Sequence, residues 1–108
     1  MRLRKHKYRA KPQRTSDGYF ASKRELSRWN QLKLRQADGQ ISELQKQVPF
    51  VLHGANGDKI CKYILDYVYR ENGSKIAEDC KGFKTEAYKL KRKLFIAEYG
   101  NEYEHRES

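Results

Sequence analysis

Two aspartates on either side of an Asn-Gly dipeptide are the residues of this chain best suited to chemistry. Asn72-Gly73 is the strongest short signal for a two-residue hairpin turn, and counting outward from it places Asp66 opposite Asp79. Period-two alternation puts Lys81 on the same face of the sheet. Adjacent carboxylates repel each other, and oxygen ligands suit Mg²⁺ or Mn²⁺, so a divalent cation is predicted between them. The pattern indicates a metal-dependent phosphodiesterase centre, in which the lysine orients or deprotonates a water.

A purely structural interpretation of the same residues stays open. Acidic residues flank many hairpins, and a register slip by one residue would turn every side chain of the strand to the other face. The surroundings favour the metal site, because residues 63–69 are apolar on both faces, as in a central strand. A buried, unpaired aspartate is costly, so Asp66 requires a cation or hydrogen-bond donors.

The charge of the chain indicates a polyanionic partner. The net charge is +10 and the pI is near 9.7, which favours a polyanion, most simply nucleic acid, through neutralisation of its phosphates. No long apolar run is present, so no membrane partner is expected. The basic N-terminus lacks the apolar segment of a signal peptide, which predicts a cytoplasmic protein. A chain of 108 residues suits one domain with a modest core, which a homodimer would enlarge.

Basic residues are concentrated in two segments. Residues 1–14 form an arm without an acidic residue, and the start of a predicted second helix is also basic. Such runs are usually solvated, and the alternative is that they grip phosphates beside the predicted centre. The side chains predicted to bind nucleic acid are Arg4, Lys5, Lys7, Arg9, Lys11, Lys84, Lys89 and Arg92.

The first helix begins with a capping box. Ser22 and Glu25 form the Ser-x-x-Glu pattern, and Gly39 is a suitable stop. The spacing places Glu25 on the same face as Trp29 and Leu32. Glu25 is therefore either a helix cap alone or a carboxylate that reaches the metal site, and both roles can hold at once.

The remaining elements are predicted from turns and periodicity. The chain is divided into a basic arm at 1–14, a domain at 15–103 and a tail at 104–108. Asp17-Gly18 predicts a turn between two short strands, and Pro49 argues that the strand region 41–52 lies at an edge or bends. Hairpin strands follow at 60–69 and 75–81, and Thr85 caps a helix to about Tyr99. The predicted buried stripe of that helix is Ala87, Leu90, Leu94 and Ala97, widened by Phe95 and Tyr88.

This order of elements resembles the core of the PD-(D/E)XK nucleases, which have a restriction-endonuclease-like fold. Four strings resemble more specifically a family of small phage and prophage proteins that is thought to belong to this nuclease class. The similarity runs from about Tyr19 to Gly100. The strings are Phe20-Ala21-Ser22-Lys23-Arg24-Glu25, Gln47-Val48-Pro49-Phe50, Tyr63-Ile64-Leu65-Asp66-Tyr67-Val68 and Glu78-Asp79-Cys80-Lys81-Gly82-Phe83-Lys84-Thr85.

The resemblance implies a role for each matching residue. Asp66 matches the first metal-binding aspartate and Asp79 the acidic residue of the (D/E)XK element. The backbone carbonyl of Cys80 corresponds to the usual third metal contact, and Lys81 to the lysine that positions or activates water. Glu25 matches the helical glutamate of the subgroup that includes archaeal Holliday-junction resolvases.

Two departures from the nuclease pattern are present. Leu65 stands where the nominal proline would be, a common change in the class. Glu78 precedes Asp79 and is an alternative acid, but alternation would point it to the opposite face from Lys81.

The resemblance also implies an α/β fold, a mixed central β-sheet flanked by two helices. The implied function is a Mg²⁺- or Mn²⁺-dependent DNA endonuclease that hydrolyses phosphodiester bonds through metal-activated water. A small domain without a separate specificity domain favours selection of branched or junction DNA over sequence, and a homodimer would present two sites. The alternatives are a non-catalytic nucleic-acid-binding protein and a host-interacting phage protein that keeps the nuclease fold.

Overall fold

The computed structural model describes residues 11–108, in which a small hairpin and a four-stranded sheet accompany two helices. The elements in chain order are β1 (Gln13–Thr15), β2 (Gly18–Phe20), α1 (Lys23–Ala37), β3 (Ser42–His53), β4 (Lys59–Glu71), β5 (Ser74–Asp79), α2 (Glu86–Tyr99) and β6 (Tyr103–Glu107).

The larger sheet is mixed and has the order β3-β4-β5-β6. β3 pairs antiparallel with β4, and β4 pairs antiparallel with β5, whereas β5 and β6 are parallel. β3 is an edge strand, which agrees with the presence of Pro49. The predicted α/β class, with a mixed sheet and two helices, is confirmed at this level.

The Asn72-Gly73 turn has the geometry that its sequence predicts. Both residues have positive φ angles, 53° and 82°, as a type I′ hairpin requires. The β4–β5 ladder then runs from the pair nearest the turn out to Tyr67 opposite Glu78. The predicted register is therefore confirmed, and Asp66 and Asp79 occupy the next position, where β5 ends.

Two apolar clusters cover the sheet, one on each face, and each includes the inward side of one helix. Val68 and Tyr69 are consecutive in β4 and pack against different clusters, as alternation demands. The α1 cluster contains Phe20, Trp29, Leu32, Ile41, Tyr67, Tyr69, Ile76 and Cys80. The α2 cluster contains Phe50, Leu52, Tyr63, Leu65, Ala77, Tyr88 and Phe95.

The buried face of β4 changes at Asp66. Leu65 packs in the α2 cluster and Tyr67 in the α1 cluster, although two positions separate them. On β3, Gln47 stands between the residues that pair with these two, and its φ of 55° is left-handed. Asp66 thus lies where the two clusters meet. The prediction that 63–69 is buried on both faces is wrong for Ile64, which is 48% exposed, because only one side of this end of β4 is covered.

Both helices begin as their sequences predict. The Ser22 hydroxyl accepts a hydrogen bond from the Glu25 backbone N–H at 3.1 Å, and the Thr85 hydroxyl accepts one from the Tyr88 N–H at 3.0 Å. Trp29 and Leu32 of α1 are buried, whereas Leu34 lies on the opposite side of the helix and is 71% exposed.

The predicted buried stripe of α2 is wrong. Leu90 is 58% exposed, Ala87 and Ala97 are exposed, and only Leu94 is partly covered. The helix buries Tyr88 and Phe95, the two residues predicted to widen that stripe, because aromatic rings bury more area than the leucine and alanine positions. Phe95 packs edge-on against Phe50, at a centroid distance of 5.0 Å.

The two ends of the described chain differ from the predicted domain limits. The segment 104–108, assigned to a tail, is largely part of β6, and the Ser108 N–H donates to the Asp79 carbonyl at 3.0 Å. At the other end β1 begins at Gln13, inside the predicted arm. Arg4, Lys5, Lys7 and Arg9 lie outside the described residues, and Lys11 is exposed. Neither helix in the range 11–108 is long and apolar enough to cross a membrane.

Candidate active site

The candidate site is built on the ends of β4 and β5, beside the start of α1. Asp66 is buried, with 8% of its surface exposed. Its Oδ2 accepts a hydrogen bond from the Cys80 backbone N–H at 2.8 Å, and its Oδ1 lies 3.4 Å from the amide nitrogen of Gln47. The hairpin and the edge strand together fix the orientation of this carboxylate.

Asp79 is completely buried and has one oxygen without a hydrogen-bond donor. The Tyr63 hydroxyl donates to Oδ2 at 2.7 Å. Oδ1 has no hydrogen-bond partner within the described part of the chain, and the Lys81 ammonium lies 3.6 Å from it. A buried oxygen in this condition is unfavourable, and a cation would relieve it.

The two aspartates act on each other, as their opposed placement predicts. Burial, followed by the hydrogen bonding and the negative charge of Asp79, raises the pKa of Asp66 to about 8, and the Cys80 N–H opposes this increase. At neutral pH Asp66 therefore retains a proton in the absence of a cation. Binding a divalent ion would favour release of that proton.

Glu25 belongs to the same electrostatic group. Burial raises the pKa of Glu25, the positive charge of Lys81 opposes this increase, and the charge of Asp79 adds to it. The backbone of Glu25 also takes part in the cap at Ser22, and its carbonyl accepts from the Tyr67 hydroxyl at 2.5 Å. The backbone of Glu25 thus forms the cap, while its side chain lies within electrostatic reach of Asp79 and Lys81.

Lys81 follows β5 and completes the group. Its ammonium is near Asp79, and it also lies 5.4 Å from the centre of the Tyr88 ring. Its side chain is 37% exposed, so the amine lies between the buried carboxylates and solvent. That position suits a group that orients a water molecule.

Glu78 faces away from this group, as alternation predicts. Its carboxylate accepts from Arg28 at 2.6 and 3.0 Å and from the Tyr69 hydroxyl at 2.6 Å. Burial would raise the pKa of Glu78, but these donors hold it below its ordinary value. Glu78 is therefore an ionised anchor for α1, and Asp79 is the acid of the candidate site.

The donor set fits a cation that takes water as part of its shell. Within residues 11–108 no three His, Cys, Asp or Glu side chains are grouped so as to hold a metal ion. The predicted set contains only two such side chains, Asp66 and Asp79, with the Cys80 carbonyl as a third oxygen. Burial raises the pKa of the Cys80 thiol, which favours its protonated form and disfavours it as a ligand. Carboxylate, carbonyl and water oxygens are ligands that suit Mg²⁺ or Mn²⁺.

Comparison with known proteins places the chain in a family. Residues 5–106 match the family described as "Protein of unknown function (DUF1064)". The chain belongs to the DUF1064 family. No curated protein and no solved structure matches it. The DUF1064 match includes the whole candidate site, from Glu25 to Lys81, but its description assigns no activity.

Three residues of this DUF1064 site were not found from the sequence. Tyr63 and His105 support Asp79, and Gln47 approaches Asp66. Alternation along β4 places Tyr63 on the same face as Leu65, and this could have indicated that Tyr63 is buried. The position of His105 could not be predicted, because it depends on the parallel pairing of β6 with β5. The left-handed φ of Gln47 is a strained conformation of the kind that clusters at functional sites.

The predicted DNA-binding residues of α2 are partly neutralised. Lys84 lies 4.0 Å and Arg92 3.9 Å from the carboxylate of Glu107, and Lys89 lies 3.3 Å from Glu86. The Tyr88 hydroxyl also donates to Glu107, at 2.5 Å. Lys84 and Arg92 thus surround a carboxylate near the candidate site, whereas Lys89 pairs on its own helix.

The contribution of Asp66 to the stability of the metal-free protein should decrease as the pH rises from about 4 to 8. Asp66 keeps its proton up to about pH 8 when folded, whereas an unfolded aspartate loses it near 3.9. The folded state therefore binds more protons in this window, and the free energy of unfolding falls with pH by up to about 1.4 kcal/mol per unit. Urea unfolding in EDTA at several pH values measures this slope. Asp66→Asn should flatten it, and a slope equal to that of the wild type would contradict the assignment.

Proposed function

We propose that this protein is a metal-dependent DNA endonuclease of the PD-(D/E)XK type. The observation that carries the proposal is the buried Oδ1 of Asp79, which has no hydrogen-bond partner among the described residues. It lies 3.6 Å from the Lys81 ammonium and beside Asp66, whose pKa is raised to about 8. Two buried carboxylates next to a lysine have no evident value for stability. The net charge of +10 supports a polyanionic substrate such as DNA. The order of these groups on β4, β5 and the following residues is that of the nuclease core that the sequence resembles.

Each side chain has a distinct part in this proposal. Asp66, Asp79 and the Cys80 carbonyl hold the cation, which supplies a lowered pKa of water and neutralisation of charge on the phosphate. Lys81 orients the attacking water, for which its half-exposed amine is well placed. Glu25 lies within electrostatic reach of Asp79 and Lys81 and would hold a further water.

The proposed substrate is branched or junction DNA, gripped through its backbone. The basic arm and the first half of α2 would neutralise phosphates, and such contacts position DNA without reading its sequence. We further propose that the protein acts as a homodimer in the cytoplasm of a bacterial host and is encoded by a phage or prophage. Leu90 of α2 is 58% exposed and offers apolar surface for a second copy.

A panel of labelled DNAs tests the proposed function. Four-way junctions, flaps, nicked duplexes, linear duplexes and single strands are incubated with the purified protein and Mg²⁺ or Mn²⁺. Metal-dependent cuts in the branched substrates, with little cutting of linear duplex, are the expected result. Tight binding to the same DNAs without cleavage would favour the non-catalytic alternative, and binding to none of them would favour a host-interacting protein.

Glu25→Gln separates the chemical role of this residue from its role as a cap. Glutamine also serves at the third position of a capping box, so the melting temperature should stay within a few degrees. Loss of the charge should lower Mg²⁺-dependent cleavage by about tenfold or more. The measurement is initial cleavage rate against Mg²⁺ concentration. Normal cleavage at limiting Mg²⁺ would leave Glu25 as a cap only.

Deletion of residues 1–12 should weaken DNA binding through electrostatics. The segment carries six basic side chains and ends directly before β1. The slope of log affinity against log salt should become shallower by about 0.9 for each lost phosphate contact. Fluorescence anisotropy at several salt concentrations measures the slope, with Lys11→Gln as a single-charge control. A slope identical to that of the full chain would show that the arm does not contact DNA.

A further inference from the structure

Asp79 is the end of a buried chain of hydrogen bonds that begins at His105. The Tyr63 hydroxyl is 2.7 Å from Oδ2 of Asp79, and Nε2 of His105 is 3.0 Å from the same hydroxyl. Tyr63 and Asp79 are 4% and 0% exposed. The chain joins three strands, because Tyr63 is in β4, Asp79 in β5 and His105 in β6.

The chemistry of the three groups fixes the direction of these bonds. Asp79 as a carboxylate can only accept, so the single proton of the Tyr63 hydroxyl points to Oδ2. His105 must then donate its Nε2–H to the Tyr63 oxygen. Burial lowers the pKa of His105, so its ring is neutral at pH 7 and carries that proton on Nε2.

Aromatic packing holds the middle of the chain in place. The His105 ring stacks on Tyr63 with a centroid distance of 6.2 Å and an angle of 26°. Phe95 and Tyr88 pack edge-on against the other sides of Tyr63, at 5.8 and 6.4 Å. The hydroxyl therefore has little freedom to turn away from Asp79.

We propose that Tyr63 and His105 are positioning residues, which fix Asp79 so that Oδ2 is occupied and Oδ1 is the atom presented to the cation. The inference rests on the proposed function, because it assigns a ligand atom within that same site. This arrangement leaves Oδ1 without a hydrogen-bond partner among the described residues, and the Lys81 ammonium lies 3.6 Å from it. Outer partners of a ligating carboxylate orient it and typically alter metal affinity by about 10- to 100-fold.

Mn²⁺ binding to Tyr63 and His105 variants tests the inference, with free Mn²⁺ measured by electron paramagnetic resonance in the absence of DNA. Tyr63→Phe removes only the hydroxyl and should weaken Mn²⁺ binding about tenfold or more. Tyr99→Phe is the matched control, because its hydroxyl donates to the Val51 carbonyl at 2.7 Å and touches no part of the site. The control should lose similar stability but bind Mn²⁺ like the wild type.

His105 provides a second pair of variants. His105→Gln can keep an N–H donor toward Tyr63 and should bind Mn²⁺ nearly as the wild type does, whereas His105→Leu should bind it several-fold more weakly. Melting temperatures confirm that each variant is folded. If Tyr63→Phe does not fold, the two His105 variants test the inference in its place. If folded Tyr63→Phe and His105→Leu bind Mn²⁺ as tightly as the wild type does, the inference is overturned but the proposed function is not. A wild-type protein that binds no Mn²⁺ would overturn the inference together with the proposed function.

Discussion

Asp79→Asn should abolish DNA cleavage without harming the fold. Asparagine keeps an oxygen for the Tyr63 hydroxyl but replaces the free Oδ1 by an NH₂ group, which cannot bind a cation. The loss should exceed the roughly 100-fold that removal of an outer partner of a metal ligand costs. Single-turnover cleavage of a four-way junction measures it. The melting temperature in EDTA should stay within a few degrees of the wild type, because asparagine has the shape of aspartate and still accepts from the Tyr63 hydroxyl.

Asp58→Asn is the matched control for the loss of one carboxylate. Asp58 is exposed in the loop between β3 and β4, where its side chain accepts a hydrogen bond from the Asn56 amide at 2.9 Å. This variant has the same change in net charge and should cleave at the wild-type rate. Equal cleavage by Asp79→Asn and Asp58→Asn would remove Asp79 from the site.

Glu78→Gln should have the opposite effect, a large loss of stability with retained chemistry. The substitution removes the negative charge of the buried Glu78 side chain and leaves the Arg28 guanidinium without its anionic partner. Breaking a buried pair typically costs about 3–5 kcal/mol, and about 3 kcal/mol is expected because the Arg28 side chain is 23% exposed. Urea unfolding measures the free energy change. Cleavage per folded molecule should stay near that of the wild type.

A double variant separates loss of the ion pair from other damage. Replacing both partners, Glu78→Leu with Arg28→Leu, removes the unpaired charge and should recover part of the stability lost in Glu78→Gln. If Glu78→Gln loses cleavage at unchanged stability, Glu78 and not Asp79 is the acid of the site.

Local signals predicted the hairpin and its carboxylates correctly because they depend on short-range geometry. The Asn72-Gly73 turn sets the register, and the register sets which residues oppose each other. The caps at Ser22 and Thr85 likewise depend on residues three positions away. Asp66, Asp79 and Lys81 could therefore be placed together from the sequence.

Features that depend on distant contacts were not predicted. Tyr88 and Phe95 of α2 are buried as predicted, but Leu90 is exposed, because the aromatic partners on the sheet and not the regular spacing decide which positions are covered. Nothing local indicates that β6 pairs in parallel with β5, so His105 had no visible role. The change of face at Asp66 also depends on Gln47 of the neighbouring strand.

If Asp66 and Asp79 hold a divalent cation, DNA cleavage should require both the metal and the Asp79 carboxylate. The wild type and Asp79→Asn, purified identically, are incubated with a labelled four-way junction in Mn²⁺, in Mg²⁺ and in EDTA. We expect cleavage by the wild type in either metal, none in EDTA, and none by Asp79→Asn in any condition. Cleavage by both proteins, or by neither at concentrations where the junction is fully bound, would contradict this expectation.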